Sequence, residues 1–115
     1  PGSIEWVTGD LTAPDSSWLE SFDFVLEVHI LQAIPIVPRE LGSKFLPQLV
    51  GKQGYLLCVG RLQTDLSDMD GPPWPLDESW VKGIGGEMDL VDFHTETYPD
   101  DELGVLRYRA VWFNG

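Results

Sequence analysis

Two hydrophobic periods run along this chain, and the switches between them mark its elements. Ile4-Glu5-Trp6-Val7 predicts a short strand, closed by Thr8-Gly9-Asp10. Residues 11–21 are polar and hold Pro14 and paired serines, which predicts a loop with one helical turn around Trp18. Phe22 to Val28 predicts a strand with Phe22, Phe24, Leu26 and Val28 on one face and Asp23, Val25 and Glu27 on the other. A helix is expected over Pro38 to Val50. Pro38 suits a first turn, where its missing N–H has no partner to lose. Leu41, Phe45 and Leu49 fall four apart and predict an inward stripe. Pro47 removes a helical hydrogen bond and forces a bend or an early end, and Gly51 supplies a stop.

The second half begins with Gly54 to Gly60. Its core, Tyr55-Leu56-Leu57-Cys58-Val59, lacks polar alternation, the pattern of a strand covered on both faces. Residues 61–76 predict a long loop, stiffened by the prolines of Gly71-Pro72-Pro73-Trp74-Pro75-Leu76. Asp77 is a suitable N-cap for a short helix carrying Trp80, Val81 and Ile84 and closed by Gly85-Gly86. Glu87 to Thr95 and Val105 to Phe113 predict a closing antiparallel hairpin. In its second strand Leu106, Tyr108, Ala110 and Trp112 oppose Arg107 and Arg109. The whole order predicts one α/β domain over residues 1–115, with a mostly parallel sheet and a C-terminal antiparallel hairpin.

Composition narrows the partners. The 115 residues are 43% hydrophobic, enough for one compact core. Nineteen acidic residues against seven basic ones give a net charge of −12, a field that repels both nucleic acid and an anionic membrane surface. Neither is expected as a partner. No apolar run reaches the roughly 18 residues of a membrane span. The start of the chain shows no secretory pattern, and Pro1-Gly2-Ser3 reads as a cloning remnant or the start of a fragment. The lone Cys58 excludes a disulfide scaffold, reads as a core residue, and points to a reducing, cytoplasmic setting. No Walker loop, cysteine pair or nucleophile elbow is present in the sequence. Glu27-X-His29 and His94-X-Glu96 each pair a histidine with a carboxylate. Such pairs arise readily in an acidic chain, and no metal site is predicted.

Several local motifs, in order, resemble one family. Ile4 to Leu11, followed by Phe22-Asp23-Phe24-Val25-Leu26-Glu27-Val28, resembles strands three and four of class I S-adenosylmethionine-dependent methyltransferases. Gln53-Gly54-Tyr55-Leu56-Leu57 resembles the turn and fifth strand. Leu26 to Pro35, Gly71 to Leu76 and Arg107-Tyr108-Arg109-Ala110 resemble a bacterial subgroup with a Gly-Pro-Pro-Trp-Pro-Leu loop.

The resemblance implies a partial Rossmann-like methyltransferase fold, strands three to seven of the order 3-2-1-4-5-7-6, and S-adenosylmethionine as cofactor. It places Asp10 at the adenine amino group with Leu11 beside it, and Glu27 and Val28 near the methionine end. His29, where the fourth strand ends, becomes a candidate general base, since imidazole titrates near neutrality. Arg61 and Trp74 become candidate contacts for the methyl acceptor. The family's Gly-X-Gly-X-Gly loop is missing from this sequence, as are its first two strands. Ile4 to Val7 therefore lacks its usual neighbour, and strand four has an open flank that invites a homodimer or a cover from the N-terminal segment. Two readings follow: an incomplete portion of an enzyme that methylates a small-molecule acceptor, or a non-catalytic acidic α/β module that associates with itself or another protein.

Overall fold

A computed structural model of the chain describes residues 3–67 and 71–115. The Pro1-Gly2 reading and three positions of the 61–76 loop lie outside the described residues. Four strands form one sheet: β1 Phe22–Val28, β2 Val50–Leu62, β3 Asp89–Glu96 and β4 Leu106–Asn114. Their spatial order is β1-β2-β4-β3. β1 runs parallel to β2, with Val28 beside Val59. β4 is antiparallel to both β2 and β3. The α/β class and the closing hairpin stand, and the parallel part of this mixed sheet is the β1–β2 pair.

Helix α1, Ile36–Phe45, connects β1 to β2. It begins two residues before Pro38, which sits in the first turn, and it ends before Pro47. Pro47–Leu49 then forms a separate 3-10 turn. Proline thus ended the helix early for the reason expected of it. The inward stripe is not the predicted one. Gly42 and Leu46 are buried whereas Leu41 is exposed. A glycine gains burial here because Leu11 packs over it, its side chain within 3.2 Å of where a Gly42 Cβ would stand. Helix α2, Glu78–Lys82, is capped by Asp77, whose carboxylate accepts from the Trp80 N–H at 3.0 Å. The turn around Trp18 is a 3-10 turn over Ser16–Trp18.

Both helices lie on one face of the sheet. Leu56, Cys58 and Leu62 of β2 meet Tyr108, Ala110 and Trp112 of β4 on that face, with Leu31, Leu46, Val81 and Ile84 packed over them. The expectation that β2 is covered on both faces is not met. Its alternate residues Tyr55, Leu57 and Val59 turn to the other face, where Phe24, Leu26 and Val28 lie beside them. There Tyr55 and the three β1 residues are exposed, and Leu57 and Val59 are half-buried.

Ile4–Val7 is also not a strand. It pairs with no described strand, and Trp6 is 87% exposed. The alternation at 4–7 had strand character, but a strand needs a ladder partner to satisfy its backbone groups. Among the described residues β1 is paired on its β2 side only.

Candidate functional site

The parallel strands β1 and β2 both end, at Val28 and Leu62, on the same edge of the sheet, the edge where ligands of α/β sheets bind. The chain leaves β1 through a left-handed residue, His29, at φ 57°. A non-glycine residue in that region is strained and persists only when its surroundings hold it. The holding bonds are explicit. The His29 N–H donates to the Val59 carbonyl at 3.0 Å, prolonging the ladder by one bond. Glu27 Oε2 accepts from the Ile30 N–H at 2.7 Å and the Leu31 N–H at 3.1 Å. Glu27 is a buried carboxylate used to clamp the turn that follows it.

Gln32, the next polar residue and equally buried, ties this turn to the rest of the edge. Its Oε1 accepts from the Arg61 N–H at 2.7 Å, and its carbonyl accepts from the Trp74 N–H at 2.7 Å. Arg39 of α1 adds two bonds, from Nε to the Leu31 carbonyl at 2.9 Å and from an Nη to the Ile34 carbonyl at 3.1 Å. The same guanidinium lies 5.7 Å from the Trp74 ring centroid. Three separate candidates, His29, Arg61 and Trp74, are therefore joined through one turn. Sequence reasoning missed both connecting residues. The available signal was a lone glutamine inside the apolar run Ile30-Leu31-Gln32-Ala33-Ile34.

Asp10, Leu11 and Glu27 meet as well. They line a largely apolar cavity of about 690 Å3 beside β1, together with Val25, Ile30 and Ile34. Asp10 Oδ1 accepts from the Thr12 N–H at 2.9 Å and from the Thr12 hydroxyl at 2.7 Å. These bonds favour the ionised form and hold the carboxyl below its ordinary range. Among the described residues Oδ2 has no partner and can accept from an exocyclic amine. Val28 is not part of this lining, although Leu26, on the same face of β1, is. Arg61 lines a smaller hollow of about 200 Å3 under Pro72, Pro73 and Pro75. Its Nε is buried without a partner among the described residues. A further cavity, about 620 Å3, opens where β2 begins, near Val50 and Lys52, at the wrong end of the parallel strands for a ligand of this sheet.

For S-adenosylmethionine the fit is partial. Asp10 and Leu11 suit the adenine end. The cavity lining holds no lysine or arginine for the amino-acid carboxylate. Metal chemistry has no assembled donor set among the described residues. Glu27 is committed to backbone amides, and His94 Nε2 stands 3.6 Å from Glu96 alone.

The fold as a whole matches solved structures. A SAM-dependent methyltransferase from Methanosarcina mazei superposes with a TM-score of 0.76 at 14% identity, over 98% of this chain and 68% of that one. The fold is that of the class I methyltransferases. The N-methyltransferase NodS from Bradyrhizobium japonicum WM9 superposes with a TM-score of 0.69 at 11% identity, over 95% of this chain and 58% of its own. Its complex with S-adenosyl-L-homocysteine gives 0.71 at 15% identity. TehB from Haemophilus influenzae gives 0.69 at 15% identity, with 95% of this chain against 40% of its own. The 115 residues thus span roughly two-fifths to two-thirds of these chains. No family profile and no curated protein matches the sequence. No helix among the described residues is long and apolar enough to cross a membrane.

Proposed function

We propose that this chain provides the adenine end and the acceptor side of an S-adenosylmethionine-dependent methyl transfer to a small molecule, in a cytoplasmic protein of the bacterial subgroup that carries the Gly71–Leu76 loop. The observation that carries the reading is the convergence of Asp10, Leu11 and Glu27 on one cavity beside the turn that links His29, Arg61 and Trp74, on a sheet of methyltransferase order. When bound, the cofactor supplies an electrophilic methyl group on a sulfonium. Asp10 accepts a hydrogen bond from the adenine amine, and Leu11 packs against the ring. Glu27 acts through the backbone, fixing the strand end against which the methionine portion lies. His29 would take up the proton that the acceptor nucleophile gives up. Arg61 binds an anionic group of the acceptor, and the Trp74 loop covers it. Most of the rate gain comes from holding the two reactants in line.

Calorimetry on the 115-residue chain tests this directly. Saturable binding of S-adenosylhomocysteine is expected, weakened about 10- to 100-fold by Asp10→Ala, as for loss of a charged hydrogen bond. An absence of heat with both S-adenosylmethionine and S-adenosylhomocysteine would defeat the assignment of the adenine site.

A further inference from the structure

A proline-walled hollow sits at the carboxyl end of β2 and holds one arginine, Arg61. The segments that frame it are tied to the strand end. The Gln63 N–H donates to the Leu76 carbonyl at 2.7 Å, the Leu76 N–H to the Arg61 carbonyl at 2.9 Å, and the Trp74 N–H to the Gln32 carbonyl at 2.7 Å. These bonds hold the wall of Pro72, Pro73 and Pro75 against Arg61. On the other side the Thr64 hydroxyl donates to the Gly104 carbonyl at 2.9 Å. Gly104, at φ 92°, lets the two loops close up, because a Cβ there would stand 2.6 Å from that of Leu66. The resulting volume is about 200 Å3, the room of roughly six or seven liquid waters. That is less than a whole drug-sized ligand needs and enough for one functional group on a short stem.

We propose that this hollow takes a carboxylate, and that the methyl acceptor is accordingly a small monocarboxylic acid with a short apolar stem. As a statement about the acceptor this rests on the methyl-transfer reading; the carboxylate subsite itself does not. Three observations carry it. The first is an uncommitted cation. In a chain with nineteen acidic residues, the Arg61 side chain makes no hydrogen bond and no ion pair among the described residues. Asp101 is already gripped by Arg107 through two bonds of 2.7 and 2.8 Å. Arg61 Nε is sealed from solvent without an acceptor, so the guanidinium has given up part of its hydration. An oxyanion on its remaining nitrogens offsets that loss with charge-assisted bonds. The second is the walls. Proline has no N–H to donate, which leaves the arginine as the dominant donor, and the apolar side chains of Leu62 and Leu66 beside it strengthen its pull on a charge. The same walls suit a methylene stem. The third is the rim. Glu102, exposed, borders the hollow of a chain whose net charge is −12. A second negative charge on the ligand is repelled there, which favours a carboxylate over a phosphate dianion. The Arg61 N–H is held by Gln32 Oε1 at 2.7 Å, so the anchored acid lies beside the turn that His29 opens.

Nitrogen-15 NMR of the arginine Nε–H signals tests it, with acetate titrated at neutral pH and constant ionic strength. The Arg61 signal should move to saturation in the millimolar range, roughly 1–10 mM, while those of Arg39, Arg107 and Arg109 stay in place. Propionate should bind about three- to fourfold tighter, the worth of one more buried methylene, and hydrogen phosphate should bind more weakly than acetate. Glu102→Gln, at an exposed position, should tighten acetate binding a few-fold. Arg61→Gln should abolish saturation with an unchanged far-ultraviolet circular dichroism spectrum. A shift that rises linearly to about 100 mM, or that appears equally on Arg107 and Arg109, reports anions at exposed cations in general and overturns the proposal. Phosphate bound more tightly than acetate overturns the carboxylate. An Arg61 signal that moves on Asp68→Asn with Asp70→Asn but not with acetate also overturns it, because the occupant is then a carboxylate of the chain itself. Calorimetry with S-adenosylhomocysteine reads the adenine end separately. Heat there without an acetate response at Arg61 sinks the subsite and spares the methyl-transfer reading; acetate saturation without that heat does the reverse.

Discussion

Replacing Gln32 tests whether this edge of the sheet is held as a unit. The side chain is 2% exposed, and its Oε1 takes the Arg61 N–H at 2.7 Å. Gln32→Met keeps most of the volume and removes the acceptor. It leaves the Arg61 N–H without a partner in a part-buried position, at a cost of about 1–3 kcal/mol. Gln32→Ala additionally loses the packing of one to two buried methylene-sized groups, about 1 kcal/mol more. Urea unfolding at neutral pH with two probes, far-ultraviolet dichroism and tryptophan fluorescence, measures both losses. The slope should stay unchanged and the midpoint should fall. Gly60 supplies an internal control, because a Cβ there would stand 2.7 Å from Gln32 Oε1 and 3.0 Å from the Tyr108 ring. Gly60→Ala alone should destabilise through overpacking. In the Gln32→Ala background part of that cost should vanish, a coupling on the order of 1 kcal/mol. Gln32→Met within about 0.5 kcal/mol of the parent, together with strict additivity to Gly60→Ala, would refute the reasoning. The backbone bond from Trp74 to the Gln32 carbonyl persists in every variant, so any change read at Trp74 reports the movement of the turn and not the loss of that bond.

Two further outcomes follow from the buried face. Burial, then the proximity of Glu27, raises the proton affinity of the Cys58 thiol and of the Tyr108 phenol above their ordinary values. The folded state therefore keeps protons that the unfolded chain releases above about pH 9 and pH 10, so stability is full below those values and falls as pH rises, by about 1.4 kcal/mol per unit for each group. Urea midpoints between pH 8 and 11 read this slope, Cys58→Ala should reduce it, and a flat profile counts against it. Gly85→Ala drives a methyl into the Trp112 ring and should cost about 1–3 kcal/mol, whereas Gly83→Ala, with its nearest neighbour at 3.4 Å, should cost far less. Equal thermal midpoints for the two variants would contradict the packing described here.

The parts of the fold legible in the sequence are those set by local rules. Alternation located β1 and β4 and assigned their faces correctly, Asp77 marked the start of α2, and Pro47 ended α1. What the sequence could not reveal depends on partners distant along the chain. Ile4–Val7 has the composition of a strand and no neighbour to pair with. The apolar run Tyr55–Val59 reads as doubly covered, which is what its side chains are suited to, but among the described residues only one face receives helices. Within α1, spacing favoured Leu41, yet burial went to Gly42 because Leu11, some thirty residues earlier, lies across it.

The candidate site was legible to the same limited depth. The family resemblance, the end of the Phe22–Val28 strand and the proline-rich loop pointed to Asp10, Glu27, His29, Arg61 and Trp74, but their roles divide in a way that type alone cannot show. Asp10 keeps one carboxylate oxygen unengaged among the described residues. Glu27 does the opposite. Its Oε2 is spent on two backbone amides, and its burial beside Cys58 keeps water from the other oxygen. A carboxylate so placed is costly to bury and stays only if it holds something in place. What it holds is the left-handed turn at His29, and through Gln32 the backbone positions of Arg61 and Trp74. Glu27 is thus the anchor of this strand end, and the methyl-transfer reading proposed above leaves direct contacts to Asp10 on one side and to the His29, Arg61 and Trp74 group on the other.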